Sequence, residues 1–496
     1  MSQDSDSRVI AIVIDAATPQ LVRRMIDHDE LPVLKSLLSA GEWKKVSAPA
    51  NIGSGAVWPT FITGTDPRFH GIHGEWRWHP SDMSLSRYRG RDLTPFWQTL
   101  ADNGTTIGIL DLPFMPMIGL ENGFEISEWA PHDVLEGHIQ VAPEKIRTLV
   151  SNSPPHALSS DRLKTEGPKD LEGLQRLNSA CLEGIKVRGK LAQALLQETN
   201  PRLAIIAFTE IHRTGHFIWH NVEPENEVYA RDEFANLPAL KPDLKDLLRE
   251  VDRQIGSLID TCAKDATVIV FSLHGMRPAY GASAFLAPLL IEMGFARLAD
   301  WRGQSWRERA LTLMAAVKRH SPDMLKKLYY KSLPQTTTHR LARPTMLPAY
   351  DWNQTRAFSL PTDQHGWVRI NLRGREAAGI VAAENYDEIC REIETKLRAL
   401  TTNEGKPLVQ DVLRTSVTAE DAIASSVPDL VVHWTNAVFE SPLGIKGSLV
   451  KTPPVGTYTG QHAGDGFCIF KGNSQSGLPD VLLAQDLGAL ISRSLS

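Results

Sequence analysis

Apolar residues in this chain come in short unbroken runs. The runs are VIAIVID (9–15), TTIGILDLP (105–113), RLAIIAFTE (202–210), ATVIVFSLHG (266–275), PDLVVHW (428–434) and GFCIFKG (466–472). Runs of this kind bounded by turn residues fit strands covered on both faces, as in a parallel sheet. Between them LVRRMIDHDELPVLKSLLSAG, LEGIKVRGKLAQALLQET and DLKDLLREVDRQIGSLIDTCA carry apolar residues at helical spacing. Strands alternating with helices predict an α/β fold, a mostly parallel central sheet with helices on both faces. Ligands of such sheets bind beyond the carboxyl ends of the strands.

The stretch 283–350 breaks the alternation. It is rich in Leu, Lys, Arg and Trp, reads as helices with a basic face, and is expected to be a helical cap insertion. After it, AFSLPTDQHGWVRINLRGREAAGIV reads as strands and a turn that return the chain to the sheet. The expected organisation is one catalytic domain, 1–282 and 351–496, interrupted by the cap at 283–350.

Composition narrows the class little. The chain has 496 residues, 42% hydrophobic and 22% charged, which suits a globular protein with a large core. A net charge of −5 argues against a nucleic-acid polymer as partner. Cys181, Cys262, Cys390 and Cys468 are far apart, so neither a thiolate metal site nor a disulfide scaffold is expected. The start, MSQDSDSRVIAIVID, lacks the pattern of an export signal, and no apolar stretch has membrane-spanning length. A soluble cytoplasmic protein with no membrane contact is expected.

Chemistry gathers where the strands end. The first run stops at Asp15; the third is followed by Glu210, His212 and His216; the fourth stops at His274. His212 and His216 are four apart, which on a helix places both on one face, a geometry suited to a metal. Ser54, between two glycines and before a helical pattern, is open to two readings, an N-cap or a hydroxyl at an anion-binding helix start.

Read in order, the motifs carry a resemblance. They are Asp15 after the first strand, Ser54 before VWPTFITGTDPRFHGIHG, the spaced pair ending in Gly215-His216, the His-Gly-Met at 274–276, and a late Gly-x-His ending at His462. This order resembles the alkaline phosphatase superfamily, and within it the type I phosphodiesterase/nucleotide pyrophosphatase branch, from Asp15 to His462. The resemblance implies an alkaline-phosphatase-like fold and two metal ions, usually zinc, flanking a Ser or Thr nucleophile. It implies Ser54 as the nucleophile, with Asp15, Ser54 and His274 on the nucleophile-side metal and His216 and His462 on the water-side one. It further implies a phospho-enzyme at Ser54 and a water activated by the second metal.

The chain departs from that pattern in three places. His212 stands where the spaced pair has aspartate, so the water-side ligands become His212, His216 and His462, with Glu210 as an alternative carboxylate. Leu273 stands where the family has the aspartate of Ser-Asp-His-Gly, which leaves the nucleophile-side site weak, rebuilt or empty. Glu75 stands where the branch often has an asparagine. Either Glu75 or His73 replaces the lost ligand, or this loop reads a cationic or hydroxyl-rich part of the substrate, or it is plain surface. Arg277 after His-Gly-Met is either an anion clamp or a surface cation. Asp363, Gln364, His365, Arg369 and Asn371 receive no role. Phe217, Trp219, Trp76 and Trp78 are expected to pack, with stacking on a base or sugar as the alternative for any that lie near the mouth of the site. NIGSGAVW lacks the sulfatase signature, which disfavours sulfate esters.

The resulting expectation is a metal-dependent hydrolase of small phosphodiesters, phosphomonoesters or phosphonates, monomeric or homodimeric, holding one or two Zn2+, with Mn2+ open on ligand type. The alternatives are a one-metal phosphotransferase or mutase at a three-histidine site, and a non-catalytic ligand-binding relative.

Overall fold

The computed structural model describes residues 7–88, 93–130, 138–159, 167–168, 170–230, 237, 239–262, 265–280, 283–300, 346–362, 364–402, 404–437, 458–472 and 477–495. Most of the expected cap, and Asp363, lie outside them. The chain divides into two compact units: Met1–His73, Arg89–Ala279 and Val450–Ser496 form the first, Gly74–Tyr88 and Tyr280–Leu449 the second.

The first unit is built on a nine-stranded sheet. Its strands, with a two-stranded ribbon, are β1 (Val9–Ile14), β2 (Glu42–Ser47), β3 (Ile107–Leu110), β4 (Gly123–Ser127), β5 (Gln140–Ala142), β6 (Leu203–Phe208), β7 (Thr267–Ser272), β8 (Gly275–Pro278), β9 (Gly460–Ala463), β10 (Asp465–Lys471) and β11 (Val481–Leu483). The sheet order is β11-β2-β10-β7-β1-β6-β3-β4-β5, and β8 pairs with β9 in the ribbon. Strands β7, β1, β6, β3 and β4 run parallel, β10 runs antiparallel to both neighbours, and β5 runs antiparallel to β4. Every residue of β1 and β6 is buried, as the unbroken apolar runs require.

Five helices matter below: α1 (Pro19–Asp27), α2 (Val57–Thr63), α3 (Leu171–Thr199), α4 (Glu210–Ile218) and α5 (Leu244–Thr261). Helix α3 starts at an Asp170 side chain that accepts from the Gly173 amide, and α5 starts at a capping box of Asp243 and Asp246. The central strands β7, β1 and β6 are neighbours and parallel, so their carboxyl ends, at Ser272, Ile14 and Phe208, open on one side of the sheet.

The second unit has its own four-stranded antiparallel sheet, in the order 357–360, 366–370, 430–434 and 409–414. The runs AFSL, GWVRI and LVVHW therefore do not return to the first sheet as the sequence reading expects. Burial on both faces gives an unbroken apolar run in either kind of sheet. Arg369 and Asn371 are structural here. Arg369 pairs with Glu376 (2.6 Å), which also accepts from the Trp78 indole (2.8 Å), and the Asn371 amide donates to the carbonyls of Thr355 and Ala378. Among the described residues no helix is long and apolar enough to cross a membrane.

Candidate metal centre

Asp15 follows β1 directly, His274 follows β7 by two residues, and α4 follows β6 after Thr209. The sheet therefore delivers these groups to its carboxyl edge. Helix α4 presents His212 and His216 together, with ring centroids 4.8 Å apart. The third histidine comes from the ribbon. Strand β9 places His462 opposite Met276 of β8.

Two glycines make this approach feasible. A Cβ on Gly460 would lie 2.4 Å from the Gly215 carbonyl oxygen, and one on Gly215 would lie 2.3 Å from the Met276 sulfur. A side chain at Gly460 would push β9 off α4, and one at Gly215 would displace the Met276 side chain of β8. The contact is then fastened by hydrogen bonds. The Thr459 amide donates to the His216 carbonyl (2.7 Å), the His220 ring lies 3.2 Å from the Thr459 hydroxyl, and the Tyr229 hydroxyl donates to the Thr459 carbonyl.

The outer ring nitrogens fix the inner ones. His216 Nδ1 lies 2.9 Å from the Gly460 carbonyl, and His212 Nδ1 lies 3.0 Å from Asp15 Oδ2. The Gly460 carbonyl only accepts, which assigns the His216 proton to Nδ1 and leaves its Nε2 lone pair facing inward, while the Asp15 carboxylate stands beside the outer nitrogen of His212. Those inner atoms converge. His212 Nε2 is 2.9 Å from His216 Nε2 and 2.6 Å from His462 Nε2. Two lone pairs facing each other at such distance repel unless a proton or a cation lies among them. Three inward imidazole nitrogens, with a carbonyl and a carboxylate behind two of them, fit a metal ion with an open position. Among the described residues this is the one group of three or more His, Cys, Asp or Glu side chains so arranged.

Asp15 is 1% exposed. Oδ2 faces His212, and Oδ1 accepts from the Trp58 indole (3.2 Å) and lies 3.6 Å from His274 Nε2. His274 Nδ1 faces the Gly275 carbonyl (3.1 Å), and its ring centroid is 4.7 Å from that of His462. Ser54 opens a short 3-10 turn, Ser54–Ala56, leading into α2, and is the N-cap of neither, those places being held by Gly53 and Ala56. Trp58, four residues on, links this turn to Asp15. Leu273 is 1% exposed.

The remaining candidates fall elsewhere. Glu210 does not face the histidines. It is fully buried against α3, 2.9 Å from Arg188 and 3.5 Å from His156, while Arg188 also reaches Asp111 (3.1 Å). Burial alone would raise the Glu210 carboxyl, but the Arg188 charge and the His156 contact bring it below its ordinary value. Glu75 belongs to the second unit and is ion-paired with Arg87 (2.6 Å). His73 is buried, and Arg277 is half-buried on β8 opposite Gln461. Phe217, Trp219 and Trp78 are packed in the interior, and Trp76 is half-buried.

The motif after Ser54 is largely scaffold. Gly71 caps a short helix in a left-handed conformation, and His70 bridges back to α2, its Nε2 3.0 Å from the Thr60 hydroxyl while Nδ1 accepts from the Ile72 amide. Burial pushes the His70 imidazole down to about 4 against a weaker pull from Asp66. Sequence reasoning also missed Tyr458, whose ring stacks on His216 with centroids 4.7 Å apart. Its only signal is its place four residues before His462.

A search of curated proteins returns no match. Among solved structures the chain is similar to phosphonoacetate hydrolase from Sinorhizobium meliloti 1021. In its phosphonoformate complex the TM-score is 0.52 at 13% identity, covering 99% of this chain and 96% of that one. In its phosphonoacetate complex the TM-score is 0.51 at 14% identity over the same shares. At such identity the likeness establishes the fold, alkaline-phosphatase-like. Residues 9–439 match the sequence profile of the type I phosphodiesterase / nucleotide pyrophosphatase family. With a match over most of its length, the chain belongs to that family, within the alkaline phosphatase superfamily, and is a phosphohydrolase.

Proposed function

We propose that this enzyme is a metal-dependent hydrolase of a small phosphodiester, phosphomonoester or phosphonate, with zinc held by His212, His216 and His462. The observation that carries the reading is the convergence of three Nε2 atoms, with the His216 Nδ1 proton directed at the Gly460 carbonyl and the Asp15 carboxylate beside His212. An all-imidazole donor set suits zinc better than manganese. Bound there, the ion would polarise a phosphoryl oxygen and lower the pKa of a water.

The chain's own residues do the rest. Ser54 is the nucleophile: its oxygen bonds to phosphorus as the leaving group departs, and water then cleaves the Ser54 phospho-ester. The Trp58 bond to Asp15 keeps the Ser54 turn against the strand ends. Arg277 is assigned to the non-bridging phosphoryl oxygens.

The test is release of phosphate or phosphonate product from a panel of aryl phosphodiesters, aryl phosphates and phosphonoacetate. Phosphonoacetate is included because of the hydrolase of similar fold. The chelated protein should be inactive, one zinc equivalent should restore turnover, and Ser54→Ala should abolish it. Turnover unaffected by chelation contradicts the metal. Product appearing only with an alcohol acceptor contradicts hydrolysis.

A further inference from the structure

Carried onto this chain, the family pattern asks for a second ion held by Asp15, Ser54, position 273 and His274. The residues at that place do not fit one. Accepting the metal at the three histidines proposed above, we infer that this enzyme works with a single metal ion, and that Asp15 is an outer-sphere partner of His212 rather than a metal ligand.

The first ground is what Asp15 touches. Oδ2 lies 3.0 Å from His212 Nδ1, and Oδ1 accepts from the Trp58 indole at 3.2 Å. Each oxygen faces a side-chain nitrogen. A carboxylate behind the Nδ1 of an imidazole whose Nε2 faces a metal is the usual outer-shell arrangement: it fixes the ring and strengthens the nitrogen as a donor. His212 stands where the family has an aspartate. Its imidazole both fills the ligand position and reaches Asp15.

The second ground is the donor count. At 273 the chain offers a buried isobutyl group in place of a carboxylate. That leaves Asp15, His274 and a hydroxyl for a second ion. Among the described residues Asp15 and His274 join no group of three convergent ligands.

The third ground is charge. The buried carboxylate of α4, Glu210, faces Arg188 rather than the histidines. One dication over Asp15 leaves a single net positive charge, whereas two would leave three, in a place where Asp15 and His274 are 1% and 2% exposed. Uncompensated charge out of contact with water is expensive. The aspartates missing at 212 and 273 together carry the charge of one dication. Both substitutions therefore point the same way.

The experiment is a cobalt titration of the full-length, chelator-stripped protein, followed by its visible absorption and by metal content after gel filtration. The wild type should take up one equivalent. His274→Ala should also take up one, and His462→Ala none. Leu273→Asp, with its fold checked by circular dichroism, should take up two. Two equivalents in the wild type, with one lost in His274→Ala, overturns the inference and leaves the hydrolase reading standing. No uptake by the wild type overturns the metal reading itself. A folded Leu273→Asp that still binds one equivalent overturns the claim that the missing carboxylate excludes the second ion.

Discussion

Helix α4 carries two polar clusters on opposite faces, and they have different characters. Toward α3, Glu210 meets Arg188, which also reaches Asp111, and His156 closes the group from the far side. Here opposite charges are paired, and the Asp111 carboxylate also takes the amides of Trp129 and Ala130. Toward β9, His212, His216 and His462 point three like groups at one spot. The first cluster supplies its own cation from within the chain. The second is balanced only when something positive joins it. A buried polar group tells little about function until its partners are counted; an excess of lone pairs aimed at one place is the functional signal.

Substitutions should separate the two faces. The largest effect is expected at the nucleophile, where Ser54→Ala should cut kcat by about 10³-fold or more while metal content stays at the wild-type value, checked by turnover and metal analysis of the same sample. Next, Arg188→Met leaves the buried carboxylates of Glu210 and Asp111 without their cation. It should cost about 3–5 kcal/mol in urea unfolding, whereas His462→Ala should leave the apo-protein's stability within about 1 kcal/mol. Equal losses in both would erase the distinction between the faces.

Asp15→Asn should weaken metal binding by about 10–100-fold without abolishing it, as outer-shell changes do, and competition with a chromophoric chelator reads that directly. Gly460→Ala, whose Cβ would lie 2.4 Å from the Gly215 carbonyl oxygen, should destabilise by about 1–3 kcal/mol and lower metal affinity by displacing β9 from α4, seen in the same two measurements.

The smallest effect concerns the scaffold behind Ser54. The folded His70 imidazole is pushed down to about 4 from 6.5, so between these values the unfolded chain binds the proton and the folded chain does not. Its contribution to stability is therefore present above pH 6.5 and lost as pH falls toward 4. His70→Gln should show a shallower fall of melting temperature over that window than the wild type.

Much of the site was legible because the strand-end rule works locally. Asp15 and His274 lie within two residues of strands visible as apolar runs, and His212 and His216 needed only a helix after the third run. His462 was legible through motif order, since its strand, GQHA, has no pattern of its own. Glu210 was misread for a geometric reason. It sits two residues before His212, and two residues on a helix turn a side chain to the other face. Its partner Arg188 lies in the middle of α3, with nothing nearby in sequence to mark a buried ion pair. Likewise β2, EWKKVS, and the antiparallel direction of β10 follow from pairing across the sheet, which short local patterns do not encode.

The decisive measurement is zinc K-edge X-ray absorption on the full-length protein loaded with one equivalent of zinc. A first shell of three imidazole nitrogens and one further light atom, with the outer scattering of three rings, is the predicted result. A shell with fewer than three imidazoles, or one dominated by carboxylate oxygens, would contradict the placement of the ion among His212, His216 and His462.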